Sequence, residues 1–421
     1  MYGTARGSLR SAFQPDAIAA EATPQKGPRA VIREIHIQGF KSIFDQTIEL
    51  GRVNCFIGAN GAGKSNVLEA IGILGAAASG RVDDESIVRR GVRAGLPRLY
   101  KTSFETGRIR PHITLEATEE SGAQFRVSLL NPLEKPEPAW SFKTEMLFDG
   151  TSELVSRGVR GDKSNLTATA GLSALRLVDL PADGAAATLL QVLQGYAIYC
   201  PNTPTLRGTV PDPQMRPSVG LSGGGLAEGF QELRKALGDD APLDDVLALM
   251  DWVSDISATE ATSSLLSPSV PRGKYVLKFT DRFMKKSRNT LTAFDASEGA
   301  LYVLFAAVVC LSQSAPRFLA IDNLDQALNP RLISRLVEQL STWLASAGTS
   351  RQLLFTAHNP AVLDGLDLTK EDVRLFAVER NSDGHTIVHR ITPSAELRKL
   401  NEEYPLSRLW LMGHLGAVPN V

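Results

Sequence analysis

From Val31 the chain alternates apolar and polar residues through "AVIREIHIQGF", the period-two pattern of a half-buried strand. The stretch "GRVNCFIGANGAGKSNVLEAIGILGAA" follows and reads as a buried strand, a glycine-rich loop and an apolar helix. Between about 110 and 150, "HITLEATEE", "AQFRVSLL" and "SFKTEMLFDG" predict short antiparallel strands separated by turn residues. "AATLLQVLQGYAIY", "GLAEGFQELRKALG" and "PLDDVLALMDWVSDI" then take helical spacing, and "KYVLKFTDRFMKKS" returns to strand character. After Ser297 the order is buried helix, buried strand ("RFLA"), helix ("RLISRLVEQLSTWLAS"), strand ("RQLLFTAH") and a terminal strand pair. Strands alternating with helices predict an α/β fold with a mainly parallel sheet covered on both faces. The pattern divides the chain into a tail at 1–28, an N-terminal part of the main fold at 29–105, a β-rich then helical insertion or lobe at 106–290, and a C-terminal part at 291–421.

A hydrophobic content of 43% and a charged content of 22% suit a packed globular core. The formal net charge of -1 gives no overall attraction to nucleic acid, so any such contact needs a local basic patch. One candidate is Lys274–Arg288, where Lys274, Lys278, Arg282, Lys285, Lys286 and Arg288 are interleaved with Tyr275, Phe279 and Phe283. That stretch reads equally as a phosphate-binding face or as a solvated hairpin. Cys55, Cys200 and Cys310 sit in apolar surroundings without metal-ligand spacing, which predicts buried, reduced thiols in a cytoplasmic protein. "ALYVLFAAVVCL" is too short to span a membrane and reads as a buried helix. The N-terminus lacks a signal-peptide core, and residues 1–28, rich in Ala, Pro, Gly and Arg, read as a disordered tail.

The chemistry concentrates in four places. "GANGAGKS", Gly58 to Ser65, matches G-x-x-x-x-G-K-S between a strand and a helix. Such a loop turns backbone N–H groups inward around phosphates, with Lys64 reaching the β- and γ-phosphates and the Ser65 hydroxyl ligating Mg²⁺. "RFLAIDN" ends a buried strand at Asp322, which would hold Mg²⁺ from the side opposite Ser65. "LFTAHNP" places His358 at the end of another strand, as a candidate γ-phosphate sensor. Two loops compete for a phosphate clamp. "LSGGG", Leu221 to Gly225, is the closer string, but Ser297 and Gly299 of "ASEGALYVLFAAVVCL" open a buried helix running into the Asp322 strand. A clamp belongs at such a helix N-terminus, so Ser297 is preferred and "LSGGG" is read as a flexible loop or helix start.

Together these motifs resemble ABC-type ATPases of the RecF/SMC group, over about residues 31–100 and 290–380. The resemblance implies a P-loop ATPase head with a mainly parallel sheet, an antiparallel β subdomain and an inserted helical lobe. It implies ATP and Mg²⁺ as cofactors, contacts from Lys41, Asn60, Gly61, Gly63, Lys64, Ser65 and Asn66, and a homodimer that sandwiches ATP between P-loop and opposing Ser297. The short chain, without coiled-coil arms, is similar to bacterial ATPases found beside nucleases in anti-phage systems, so DNA or an effector nuclease is the implied partner and no membrane is. "DNLDQALNP" departs from the group's D-E-x-D-x-x-L-D pattern: Asn323 stands where a catalytic glutamate is expected, and Asn329 where an aspartate is. Asparagine can accept a hydrogen bond from the attacking water but cannot take its proton, which predicts slow hydrolysis unless Asp325 substitutes. A Q-loop glutamine does not identify itself. Two further readings remain: the nucleotide-binding subunit of a membrane transporter, and a non-hydrolysing ATP-binding scaffold.

Overall fold

The computed structural model describes residues 32–105, 111–158, 171–238, 243–262, 265–270, 273–346 and 351–416. The expected tail at 1–28 lies outside them. Three sheets organise the chain. The central one runs β15(Thr386–Ile391), β14(Val373–Arg380), β3(Val53–Ile57), β13(Gln352–Ala357), β12(Phe318–Ile321), β8(Ala197–Tyr199). Its strands are parallel except for the β14–β15 pair. β3, β12 and β13 are buried along their whole length, as apolar strands covered on both faces must be. The helices Lys64–Ala78 and Glu298–Leu311 are apolar nearly all round and enclosed in the core. The Pro330–Ser346 helix packs against Glu298–Leu311 and carries Ile333, Leu336, Val337 and Leu340 inward at helical spacing.

The second sheet is antiparallel, in the order β2(Ile43–Glu49), β1(Ile32–Phe40), β4(Ile113–Glu119), β5(Gln124–Leu130), β6(Ser141–Phe148), β7(Glu153–Arg157). The third is a small antiparallel sheet of β11(Thr290–Thr292), β10(Tyr275–Asp281) and β9(Val253–Glu260). The α/β fold with a mainly parallel sheet and an antiparallel β subdomain is therefore present. The expected division at 105/106 is not a structural break, because β4 pairs directly with β1 and the strands of the supposed insertion complete a sheet begun at the N-terminus. Nor is the later part of 106–290 a separate lobe throughout, since β8 forms the edge of the central sheet beside β12.

Two runs read as continuous helices are broken. "AATLLQVLQGYAIY" is a helix only over Ala185–Gly195, and its last apolar residues form β8. "PLDDVLALMDWVSDI" is a helix over Leu243–Ala248 and then enters β9. Short apolar runs of this kind have no period to separate strand from buried helix. Cys55 and Cys310 are buried as expected, but Cys200 is exposed, because β8 ends at Tyr199 and the next residue leaves the sheet.

Candidate functional site

The site gathers at the carboxyl ends of the parallel strands, where open α/β sheets bind ligands. β3 ends in the glycine loop. Gly58 has φ 149° and Gly63 φ 113°, and a Cβ on Gly58 would stand 2.0 Å from Val378 O, so neither position admits a side chain without rebuilding the loop. The helix that follows starts at Lys64 with no side-chain cap. Its first N–H groups are left for a ligand, and the helix dipole adds partial positive charge there. Asn60 and Gly61 form the exposed tip of the loop. Lys64 folds back over it, donating to Gly58 O at 2.8 Å and Ala59 O at 3.1 Å. Burial depresses the Lys64 ammonium to about 8, against the opposing pull of Asp322 and Asp325.

Asp322 is fixed from three sides. Its backbone N–H donates to Tyr199 O of β8 at 2.8 Å, and its Oδ1 accepts from Ser65 Oγ at 3.1 Å and Thr356 Oγ1 at 2.5 Å. Thr356 Oγ1 in turn accepts from the Asn323 N–H at 2.9 Å. A hydroxyl and a carboxylate facing each other beside a phosphate loop are hard oxygen donors, and the pair fits Mg²⁺.

Asn323 has φ 55°, a left-handed conformation that asparagine accepts more readily than most residues. Its Oδ1 lies 3.1 Å from His358 Nε2, while His358 Nδ1 lies 3.2 Å from Lys64 Nζ. Burial and the Lys64 charge push the His358 imidazole below its usual value, so the ring is neutral near pH 7. An ammonium can only donate, so Nδ1 accepts from Lys64 and the ring proton sits on Nε2, donated to Asn323. Asp325 takes a different position from the substitute base considered above. Its Oδ2 accepts the backbone N–H groups of His358 at 2.8 Å and Asn359 at 2.6 Å, so it clasps the end of β13.

Besides Thr356, three further residues that sequence reasoning missed complete the surroundings. Arg93 donates to Glu69 Oε1 at 2.5 Å and reaches Asn66 Oδ1 at 3.4 Å, beside the loop helix. Arg380, at the end of β14, donates to Gly61 O at 3.0 Å. The Thr386 hydroxyl lies 2.7 Å from both Ala62 O and Ser42 Oγ, and Ser42 Oγ also accepts from Asn66 Nδ2 at 2.7 Å. Next to Thr386, His385 stacks on Phe44 with ring centroids 4.8 Å apart and is flanked by Phe104 at 4.4 Å. Lys41 is paired with Glu69, one helical turn beyond Ser65, and sits over the Phe40 and Tyr100 rings. The buried Glu69 carboxylate draws it there, since a carboxylate 3% exposed needs a countercharge.

Ser297 lies elsewhere on the molecule's surface. It is exposed and caps the Glu298–Leu311 helix, its Oγ accepting from the Ala300 N–H at 3.4 Å. Among the described residues no hydrogen bond joins it to the glycine loop. It shares a cleft with Asn329, Arg331, Leu332 and Arg335. Asn329 caps the Pro330–Ser346 helix, its Oδ1 accepting from Leu332 N–H at 2.9 Å. Gly299 packs closely enough that a Cβ would meet Leu332 Cδ2 at 3.3 Å. The rival loop at Leu221–Gly225 starts the Leu226–Leu237 helix and is not loose: Asp212 Oδ2 accepts from Ser222 N at 2.7 Å and Gly224 N at 3.0 Å.

Residues 31–90 match a family model described as "AAA ATPase domain", and residues 253–364 match one described as "AAA domain, putative AbiEii toxin, Type IV TA system". A DNA replication and repair protein RecF from Halothermothrix orenii is 35% identical over 71 residues, a match covering 16% of this chain and 19% of that protein. The chain thus matches about a fifth of the length of that relative. The fold is similar to an SMC head bound to the C-terminal winged-helix domain of ScpA, with TM-score 0.51 and 12% identity, over 87% of this chain and 99% of that one. A Thermotoga maritima SMC head domain aligns with TM-score 0.46 and 12% identity, over 86% and 99% of the two chains.

Proposed function

The chain is a RecF/SMC-like ABC-type ATPase of the AAA class, and on that premise we propose that it works as a slow ATP-driven dimerisation switch. The observation that carries this reading is the linked set Ser65–Asp322–Thr356–Asn323–His358–Lys64, which joins the phosphate loop to the ends of β12 and β13 through side-chain hydrogen bonds and the Asn323 backbone N–H. In this reading Lys64 turns from the Gly58 and Ala59 carbonyls onto the β- and γ-phosphates, and the uncapped helix start receives phosphate oxygens. Ser65 and Asp322 would hold Mg²⁺, whose charge offsets that of the phosphates when bound. Arg93 adds positive charge at the open side, and Arg380 holds the loop tip through Gly61.

Asn323 presents an amide, not a carboxylate, where the attacking water would be oriented, and its carbonyl already accepts from His358. Loss of a general base typically costs about 10²–10⁴ in rate. Binding survives that loss, so the ATP state is long-lived. Ser297, exposed at the helix start that it caps, is the group offered to the nucleotide of a second copy. The output of such a cytoplasmic switch is DNA maintenance or control of an effector nuclease in anti-phage defence. No helix among the described residues is long and apolar enough to cross a membrane. The non-hydrolysing scaffold is the second reading, and Asn323 is the observation that favours it.

Light scattering with and without Mg-ATP tests the proposal. The parent protein is expected to double in mass with ATP, while Lys64→Ala binds no ATP and stays monomeric. A Lys64→Ala protein that dimerises with ATP like the parent contradicts it.

A further inference from the structure

The connection between β10 and β11 is a projecting hairpin with a fixed base and an unusual tip. At the base, Asp281 N–H donates to Asn289 O at 2.8 Å, and Asn289 Nδ2 donates to Asp281 O at 3.3 Å. Asp281 Oδ1 accepts the N–H groups of Phe283 at 2.7 Å and Met284 at 3.0 Å, and Arg288 N–H donates to Lys285 O at 2.8 Å. These bonds hold the tip in shape without using the side chains of Phe283, Met284, Lys285, Lys286 or Arg288. The basic stretch singled out in the sequence is divided by this fold. Phe279 is buried in the core and Arg282 donates to Val253 O at 2.6 Å, so both are structural. Phe283 is 77% exposed and Met284 41% exposed, and Lys285, Lys286 and Arg288 are exposed with them. No carboxylate among the described residues pairs with those three cations; Asp281 is occupied by backbone amides, and Asp251 and Asp255 lie at the hairpin base.

An aromatic ring held in water beside three unpaired cations, on a chain of net charge -1, is a local feature with a specific complement. We propose that this tip binds single-stranded nucleic acid, with Phe283 stacking on an unpaired base and Lys285, Lys286 and Arg288 meeting consecutive phosphates. Every base offers a π face, so a lone aromatic with neighbouring cations needs no sequence. One ring and one methionine provide little apolar area for insertion into a bilayer, which favours the nucleic acid over an anionic membrane. The hairpin continues through β11 to Thr292, whose N–H and Oγ1 both donate to Asp295 Oδ2 at 2.9 and 2.8 Å, and then to Ser297. The nucleic acid would thus sit at the end of the element that carries the proposed clamp serine. Only this connection rests on the ATP-switch reading; the binding itself does not.

The test is fluorescence anisotropy of a labelled oligothymidylate titrated with the full chain, without nucleotide, over a series of salt concentrations. The expected log–log salt slope is about -2, from three phosphate contacts at about 0.7 each. Lys285→Gln with Lys286→Gln is expected to make the slope shallower by about 1.4. Phe283→Ala is expected to weaken binding about five- to 150-fold at unchanged slope, and Phe283→Trp to restore it. All of these side chains are exposed, so the variants fold. Binding that ignores the Phe283 and lysine changes overturns the proposal. So does an oligothymidylate that fails to bind while phosphatidylserine vesicles bind in a Phe283-dependent way, and so does a preference for blunt duplex over single strand.

Discussion

His358 Nδ1 lies 3.2 Å from the Lys64 ammonium, and this contact decides how the other end of the ring addresses Asn323. A neutral imidazole that accepts from lysine at Nδ1 must present a proton at Nε2, and Asn323 Oδ1 is there at 3.1 Å to receive it. The three side chains therefore form a directed chain, in which the lysine's charge state sets the histidine's tautomer.

The depressed Lys64 ammonium makes ATP affinity depend on pH. Phosphates bind the charged form, so bound ATP raises the lysine above its free value of about 8. The affinity contributed by that charge is fully present below about pH 8 and falls as pH rises above it, by up to about tenfold per unit. Titration with a fluorescent ATP analogue from about pH 7 to about pH 9.5 reads this directly. Lys64→Arg, whose guanidinium stays charged, is expected to bind with no such decline. A flat profile in the parent protein would show that Lys64 is not the group titrating.

The choice between the two candidate clamp loops has its own experiment. Ser297→Arg places a bulky cation at an exposed helix start and is expected to leave ATP binding to the monomer intact while blocking ATP-induced dimerisation. Ser222→Arg, in a loop tied to Asp212, is expected to change dimerisation little. Light scattering and ATP titration on both variants separate the alternatives. Loss of the dimer in Ser222→Arg alone would assign the clamp to Leu221–Gly225.

Much of the site was legible because its members are short strings with fixed neighbours. Gly58–Ser65, Asp322 and His358 each end a buried strand, and a parallel sheet brings those ends together. Arg93, Arg380, Thr356 and Thr386 were not legible. Each is an ordinary polar residue whose role comes from a partner far away in sequence, as when Thr386 meets Ala62. β8 was hidden because three apolar residues after a helix look like more helix. Cys200 looked buried because the residues before it are apolar, but it is the first residue beyond β8. Lys41 was expected at the nucleotide from resemblance, but the pull of the buried Glu69 carboxylate could be seen only once the fold had set the two side by side. Asp325 was a candidate substitute base from the resemblance, whereas its carboxylate accepts two backbone amides at the β13 end.

Restoring a carboxylate at Asn323 carries a backbone cost. Asn323 occupies a left-handed conformation, and a glutamate there is strained by about 1–2 kcal/mol. Asn323→Glu is therefore expected to lower the melting temperature modestly. Its ATP binding and dimerisation must be checked before its chemistry is read.

Single-turnover phosphate release, with Mg-ATP pre-bound to the parent protein, Asn323→Glu and Asp325→Asn, is the most direct measurement of the switch. Slow release by the parent is expected, with at least a tenfold acceleration in Asn323→Glu, part of the about 10²–10⁴ that a positioned base supplies. Asp325→Asn is expected to remain as slow as the parent, because Asp325 serves the backbone of His358 and Asn359. Fast release by the parent that disappears in Asp325→Asn would move the catalytic carboxylate to that residue. Fast release indifferent to both substitutions would contradict the account of Asn323 and, with it, the slow switch.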